Sequence, residues 1–303
     1  MEIVRLTQDV TVLHGAVNMG LVRCDEGFVA VDTGIDKQAA KQLQRAAADM
    51  GLPLVAIVNT HAHADHFGGN AQLLKQARLP VFAPVGEAAV MRQPRFEPEY
   101  LWQGAQPLPQ LLNKFLQAPP TPVDTEFAPG VELVIGGRVF QTVSLPGHSS
   151  NQCGVLADGV LFAADAYFDA DVVDKHGVPY MVNYPQILAS ARAVAGIAAS
   201  SYVPGHGAPV ANPSPHISAL CQRHEEAYGV VIERVQSEAT LEDVVAEVCS
   251  KFGLNPANPG AYVLLRTPVA AYLTAAVEAG RVLPVVRAGR MWFVPAEEEL
   301  CSD

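Results

Sequence analysis

The sequence predicts a mixed α/β (α+β) protein: a two-sheet sandwich flanked by helices over residues 1–212, then a smaller helical unit over 213–303. Three features of the 303 residues carry that prediction. β-rich runs and helical runs alternate in two similar successions, which suggests two sheets with helices outside them. The character of the chain changes at Pro213–Pro215, where a linker is expected. Long helical patterns follow, and a hairpin signal ends them. Half the residues are hydrophobic, enough for a substantial core.

Val10–His14, Gly20–Cys24 and Phe28–Val31 are β-rich runs separated by turn residues. Val31-Asp32-Thr33-Gly34 closes a buried strand and leads into a helix expected over Asp36–Met50. Leu54–Asn59 reads as another buried strand. A helix over Gly69–Ala77, a strand at Val81–Ala83 and a short helix at Glu87–Arg92 follow. Pro94–Thr125 holds seven prolines and the aromatics Phe96, Tyr100, Trp102 and Phe115. It is expected to be irregular except for a helix near Leu111–Leu116. Long insertions of this kind are often lids or binding loops. Strands return at Val131–Ile135, Val139–Leu145, Gln152–Ala157 and Val160–Phe162. A loop over Tyr167–Asn183 precedes a helix at Pro185–Ser200 and a strand at Tyr202–Val203. Beyond the linker, a helix is expected over His216–Ser237. Thr240 reads as an N-cap, with Asp243 near the box position, for a helix through Lys251. Tyr262–Gly280 reads as two helical segments split at Pro268. Val282–Val286 and Met291–Val294 pair around Ala288-Gly289-Arg290. Helices followed by a hairpin outline a winged-helix-like unit.

The formal charge of −11 repels nucleic acid and anionic membranes in bulk. No run of 18 apolar residues is present, since Ala261–Ala279 is broken by Arg266 and Pro268. Met1–Arg5 opens no apolar leader. Cys24, Cys153, Cys221, Cys249 and Cys301 are scattered, odd in number and without a CxxC pair. A reducing, cytoplasmic setting is the expectation. The tail could equally serve as a packing or dimerisation module, so a homodimer is compatible.

Residues 60–70 read Thr-His-Ala-His-Ala-Asp-His-Phe-Gly-Gly-Asn. Three histidines and an aspartate within six positions, among small residues, point to a metal centre, because imidazole and carboxylate together suit zinc, iron or manganese. Three partners follow apolar strands: His148 in Pro146-Gly147-His148-Ser149, Asp165 after Leu161–Ala164, and His206 in Pro204-Gly205-His206-Gly207. Loops at strand ends expose such groups on a rigid scaffold. One catalytic zinc needs about three protein ligands. Five histidines and two aspartates therefore suit two ions with a bridging carboxylate, and paired ions about 3.5–4 Å apart can hold and activate hydroxide. His14, His176, His216 and His224 are singletons read as surface or helix-face residues, and Asp169, Asp171 and Asp174 as solvated charges.

The ordered set His61-x-His63-x-Asp65-His66, His148, Asp165, His206 resembles the metallo-β-lactamase superfamily of αββα hydrolases, over about residues 8–210. The resemblance implies that His61, His63 and His148 bind one metal. It likewise assigns Asp65, His66 and His206 to the second metal, with Asp165 between them and Asp32 in support. It implies two divalent ions, zinc first, with iron or manganese as alternatives. The implied reaction is attack of a metal-activated hydroxide on an ester-type carbonyl of a small molecule, as in thioesterases resembling glyoxalase II (hydroxyacylglutathione hydrolases) or in lactonases. Asp65 would orient the nucleophile and pass its proton to the leaving group. Tyr167 would donate to the developing oxyanion. Related lactonases carry a tyrosine there, although the spacing here is one residue shorter. Tyr180 and Tyr184 are further candidates. No basic cluster of the kind a glutathione carboxylate needs lies near the ligand loops. The winged-helix-like tail is similar to that of a subfamily containing an endoribonuclease, so phosphodiesterase or endoribonuclease chemistry is the alternative. The net charge opposes it, because nucleic-acid affinity comes from lysine and arginine on phosphate. A β-lactamase fits less well, since those enzymes lack an aspartate at the position of Asp165. A one-iron persulfide dioxygenase leaves His66 and His206 unexplained. Substrate choice is expected in Pro94–Thr125 and Tyr167–Asn183.

Overall fold

A computed structural model describes residues 1–296; Cys301 lies outside them. The first sheet holds seven strands in chain order: β1 (Glu2–Arg5), β2 (Val10–His14), β3 (Met19–Arg23), β4 (Phe28–Val31), β5 (Leu54–Val58), β6 (Val81–Pro84) and β7 (Thr125–Phe127). β1 to β4 pair antiparallel, whereas β4 to β7 run parallel. Parallel neighbours need crossovers. These carry α1 (Lys37–Asp49), α2 (Ala64–Phe67), α3 (Asn70–Leu74), α4 (Glu87–Arg92) and α5 (Phe96–Leu101). The second sheet has β8 (Glu132–Ile135), β9 (Arg138–Ser144), β10 (Cys153–Ala157), β11 (Val160–Ala164) and β12 (Ser201–Pro204), with β12 at one edge beside β11. Helices α6 (Ala170–His176) and α7 (Tyr184–Gly196) separate β11 from β12. The chain ends with α8 (Ser214–Arg234), α9 (Leu241–Phe252), α10 (Pro259–Glu278) and the hairpin β13 (Val282–Arg287) with β14 (Arg290–Pro295).

Side-chain alternation sorts the strands into layers. Val10, Val12, Val29, Val31, Ala56 and Val58 of the first sheet meet Phe140, Val155, Phe162 and Val203 of the second in the central core. Their neighbours Leu13, Ala30 and Ile57 point outward to Ala40 and Leu43 of α1. Leu161 and Ala163 of β11 point outward to Ile187 and Ala191 of α7. The result is helix, sheet, sheet, helix. Helix α1 starts where Asp36 accepts from the backbone N–H groups of Gln38 and Ala39 at 2.9 and 3.2 Å. It buries Ala39, Ala40, Leu43, Ala46 and Ala47 along one stripe.

The C-terminal segment is docked on the sandwich. One apolar cluster runs from Leu161 and Ile187 through Leu220 and Val231 to Tyr272 and Phe293. Thr240 and Asp243 form the capping box expected for α9. Several local expectations are corrected. Strand β1 adds to the first sheet. The expected helix over 69–77 is only α3, because the cluster sequence itself winds into α2. Leu111–Leu116 is no helix beyond a 3-10 turn at Pro109–Leu111, whereas α5 forms instead, with Pro98 in its first turn where a missing N–H costs little. The loop after Tyr167 contains α6. Helix α10 runs unbroken through Pro268. A proline inside a helix costs about 3 kcal/mol. Burial of Val263, Leu265, Val269, Tyr272 and Leu273 offsets that at about 1.5–3 kcal/mol per side chain. By length and composition α10 is long and apolar enough to cross a membrane, but here it packs on α7, α8 and α9.

Candidate metal centre

Every ligand expected from the sequence lies just beyond a strand, at one edge of the sandwich. Asp32 follows β4, and His61 to His66 follow β5 and enter α2. His148 follows β9, Asp165 follows β11 directly, and His206 follows β12. Two backbone features shape this edge. Asp32 and Ala164 adopt left-handed conformations (φ 57° and 49°), which non-glycine residues hold at a cost of about 1–2 kcal/mol. The register of β11 against β12 shifts at Ala164, so the strand ends there and Asp165 begins a buried turn. A Cβ at Gly205 would collide with Asp165 Oδ1 and come within 3.0 Å of His66 Cε1. Only glycine lets the His206 loop pass so close.

The seven side chains converge. The ligand atoms of His61, His63 and His148 lie within 4.8 Å of one another, as do those of Asp65, His66 and His206. Asp165 sits between the two groups. Its Oδ2 is 3.1 Å from His148 Nε2 and 3.5 Å from His206 Nε2, and its Oδ1 is 3.4 Å from His66 Nε2. The outer ring nitrogens settle the tautomers. A carbonyl can only accept, so His148 Nδ1–H donates to Tyr180 O at 3.0 Å and His206 Nδ1–H to Ala16 O at 2.7 Å. His66 Nδ1 donates to Asp32 Oδ2 at 2.8 Å. Thr60 Oγ1 gives its hydrogen to the same oxygen at 2.8 Å and so accepts from His61 Nδ1 at 3.1 Å. The Nε2 atoms of these four rings then face inward, and His63 Nδ1 lies among them, 3.2 Å from His61 Nε2 and 2.8 Å from His148 Nε2. Buried His66 Nε2 and Asp165 Oδ1 have no hydrogen-bond partner. Imidazole nitrogens and carboxylates converging in this way fit divalent cations, and the outward donation is the usual support of metal-ligating histidines.

Electrostatics divide the cluster. Burial, followed by repulsion from His66 and His63, holds His61 well below the usual imidazole range. Burial and then His148 push His63 down to about 3. Burial also opposes charge on His206, but Asp165 and Asp65 outweigh it and raise that imidazole to about 10. His66 is raised in the same way by Asp165, Asp32 and Asp65, against burial. Asp65 is pushed up by burial and more strongly down by His66 and His206, so it stays ionised. The carboxylates thus demand positive charge at Asp65, His66 and His206, from protons or from a metal that displaces them.

A cavity of about 800 Å³ opens over this centre, reaching His63, Asp65, His148, Asp165 and His206. The insertion contributes Glu97, Lys114, Phe115 and Leu116, the α6 region contributes Phe168, Val172, Lys175, His176 and Tyr180, and the tail contributes Leu254, Asn255, Pro256, Leu264 and Leu265. Tyr167 is not brought to the cavity. It is fully buried in the core beneath α7, and its hydroxyl has no partner. Asp165 and Ala166 before it are also buried, and the next residue, Phe168, lines the cavity instead. Tyr180 stands at the ligands, its ring 5.4 Å from His63 and 5.5 Å from His148. Tyr184 stacks on Tyr228 at 4.8 Å, away from the ligand set. Lys114 and Lys175 reach the cavity wall from segments remote from the ligand loops, with Lys114 paired to Asp36 at 3.0 Å. His224 is a buried α8 residue that meets Tyr272 Oη at 2.7 Å, and His216 accepts from Ala170 N–H at 3.1 Å.

Two supporting residues escaped the sequence reading. Glu87, at the start of α4, accepts from Ala62 N–H (2.9 Å), Ser149 Oγ–H (2.8 Å) and Asn151 N–H (3.0 Å), and so ties the His61–His66 turn to the His148 loop. Asn18 donates to the carbonyls of Pro204 (2.8 Å) and Gly207 (2.7 Å), holding the His206 loop. Their partners, all but the Ser149 hydroxyl, are backbone groups of distant loops, which no local pattern reveals.

A family profile described as the metallo-beta-lactamase superfamily matches residues 13–206. A hydroxyacylglutathione hydrolase of Vibrio campbellii is 30% identical over 146 residues, covering 48% of this chain and 44% of that protein. The chain thus spans under half the length of that relative. A hydroxyacylglutathione hydrolase of Xanthomonas euvesicatoria pv. vesicatoria is 26% identical over 216 residues, 68% of this chain and 69% of its own. Among solved structures, a beta-lactamase domain protein from Burkholderia ambifaria superposes with TM-score 0.74 at 19% identity, covering 97% of this chain and 95% of its own. The fold is therefore shared over 97% of this chain.

Proposed function

The chain belongs to the metallo-beta-lactamase superfamily, and from that premise we propose that it is a binuclear metal-dependent hydrolase of a small thioester or lactone. The observation that carries this is the convergence of two ligand triples on Asp165 at the floor of a largely apolar cavity. His61, His63 and His148 would hold one ion, and Asp65, His66 and His206 the other, with Asp165 between them. Zinc is the first candidate. Bound divalent ions lower the pKa of water to about 7 and polarise a carbonyl.

The chain's own residues do the rest. Asp65, kept ionised beside His206 at 3.3 Å, orients the attacking water, takes its proton and delivers it to the leaving sulfur or oxygen. Tyr180, in place of Tyr167, is assigned the hydrogen bond to the substrate carbonyl. Phe168, Val178 and Leu265 exclude water around the acyl group. The two relatives named hydroxyacylglutathione hydrolase support the thioester class. Nucleic acid is disfavoured by the net charge of −11, and three of the tail's six arginines are paired with acids: Arg223 with Asp174 at 2.8 Å, Arg266 with Glu242 at 3.1 Å, and Arg287 with Glu238. The free thiols Cys24, Cys153, Cys221 and Cys249 are consistent with the cytoplasmic setting we assign.

Metal analysis of the purified protein, combined with a panel of thioesters, lactones and phosphodiesters, tests the reading. Two ions per chain and preferential carbonyl-ester turnover are expected. A phosphodiester preference, or no bound metal, overturns it. Asp65→Ala should lower kcat about 100-fold or more. Near-wild-type turnover with intact metal content would remove Asp65 from its role.

A further inference from the structure

Most of the cavity wall is apolar, with Val17, Ile35, Leu116, Phe168, Leu254 and Leu265 facing in. Glu97 breaks that wall. It projects from the first turn of α5, lines the cavity and is only 5% exposed. Among the described residues no hydrogen bond and no ion pair reaches its carboxyl; the hydroxyls of Tyr100 and Tyr180 lie in its neighbourhood without bonding to it, and burial, then Asp65 and Glu87, hold it well above the usual carboxylate range. A buried carboxyl without a partner weakens the fold. Its place on a cavity wall gives it a partner only when something enters. A wholly apolar acyl chain would seal it from water and replace nothing, whereas a chain carrying a donor would satisfy it.

We propose that Glu97 is a specificity-determining residue that receives a neutral hydrogen-bond donor, a hydroxyl or an amide N–H, carried on the otherwise apolar acyl chain of the substrate. The assignment rests on the hydrolase reading for the word substrate, and on the cavity alone for binding. A site built around a buried polar group discriminates strongly against analogues that leave it unpaired.

The test uses matched acyl thioesters of one chain length that are plain, hydroxylated or amide-bearing, together with their free acids. Turnover is measured on the metal-loaded full chain, and acid binding by titration calorimetry. Wild type is expected to favour donor-bearing compounds over plain ones by about ten- to a hundredfold in both kcat/KM and acid affinity. Comparison of hydroxyl with amide identifies the donor. Glu97→Leu should erase that ratio by weakening the donor-bearing compounds while plain ones are held at least as well. Glu97→Gln, which keeps an accepting oxygen, should preserve most of it. Equal treatment of plain and donor-bearing compounds by wild type overturns the proposal, and does so without any variant. An unchanged ratio in a folded Glu97→Leu protein overturns it too. If no thioester is hydrolysed but the acid preference is present and lost in Glu97→Leu, the hydrolase reading fails and the Glu97 assignment stands.

Discussion

Asp32 gathers four donors on one carboxylate: Asn59 Nδ2 (3.4 Å), Thr60 N–H (2.9 Å), Thr60 Oγ1 (2.8 Å) and His66 Nδ1 (2.8 Å). Through Thr60 it also orients His61. Asp32→Ala should therefore weaken metal binding about 10–100-fold, read by competition with a chelator, while the other ligands remain. An unchanged affinity would show that the loop holds these rings without it. His224, outside the candidate ligand set, supplies a pH prediction. Burial, then His148 and Arg223, push its pKa down from 6.5 to about 3 in the fold. Between those values the unfolded chain holds the extra proton. Stability is thus complete above about pH 6.5 and falls toward pH 3, by up to about 1.4 kcal/mol per pH unit from this group. Urea midpoints between pH 4 and 7 should slope less steeply in His224→Gln, by about one proton. At this scale the convergence of the candidate ligands was legible, because few jobs other than metal binding call for so many imidazoles and carboxylates at strand ends. Tyr167 was misplaced because spacing from Asp165 does not say which way the chain turns after Ala164, and that left-handed step sends Phe168 rather than Tyr167 to the cavity.

Among the elements, α4 does more than fill a crossover. Its first residue, Glu87, clamps two ligand loops that come from different sheets. Glu87→Ala leaves three donors without their acceptor, each worth about 1–3 kcal/mol when buried. A lower melting temperature and a looser metal site are expected together, measured by calorimetry and chelator competition. A drop in melting temperature with unaltered metal affinity would make the clamp purely structural. Strands β2 to β5, β10 and β11 were readable as apolar runs between turn residues, because both faces are largely buried, and β9 from the alternation of one buried with one exposed face. The insertion was not. Pro98 looked like a breaker but falls in the first turn of α5, where its missing N–H has no helical partner to lose. Asn113 Oδ1 instead caps the N–H of Phe115 at 2.9 Å and holds 111–116 in a turn. Pro268 likewise suggested a break that tertiary burial overrode.

On the scale of the whole molecule, the change of composition near residue 213 marks no independent core. The apolar cluster beneath α7 is completed by Leu220, Val231, Val269 and Tyr272 from the tail. A chain ending at residue 212 should be insoluble or unfold without a cooperative transition, whereas residues 1–303 should unfold in one calorimetric step. A soluble, metal-binding 1–212 fragment would show that the two parts fold apart. Local patterns could announce the linker but not the docking, since contacts between α7, α8 and α10 join residues far apart in sequence. That docking has a consequence for descent. The candidate metal ligands all lie between His61 and His206, while much of the cavity wall comes from outside the ligand loops, including Leu254–Leu265. A duplicated gene of this kind can change its diet by altering its tail and insertion, and inherit the reaction untouched.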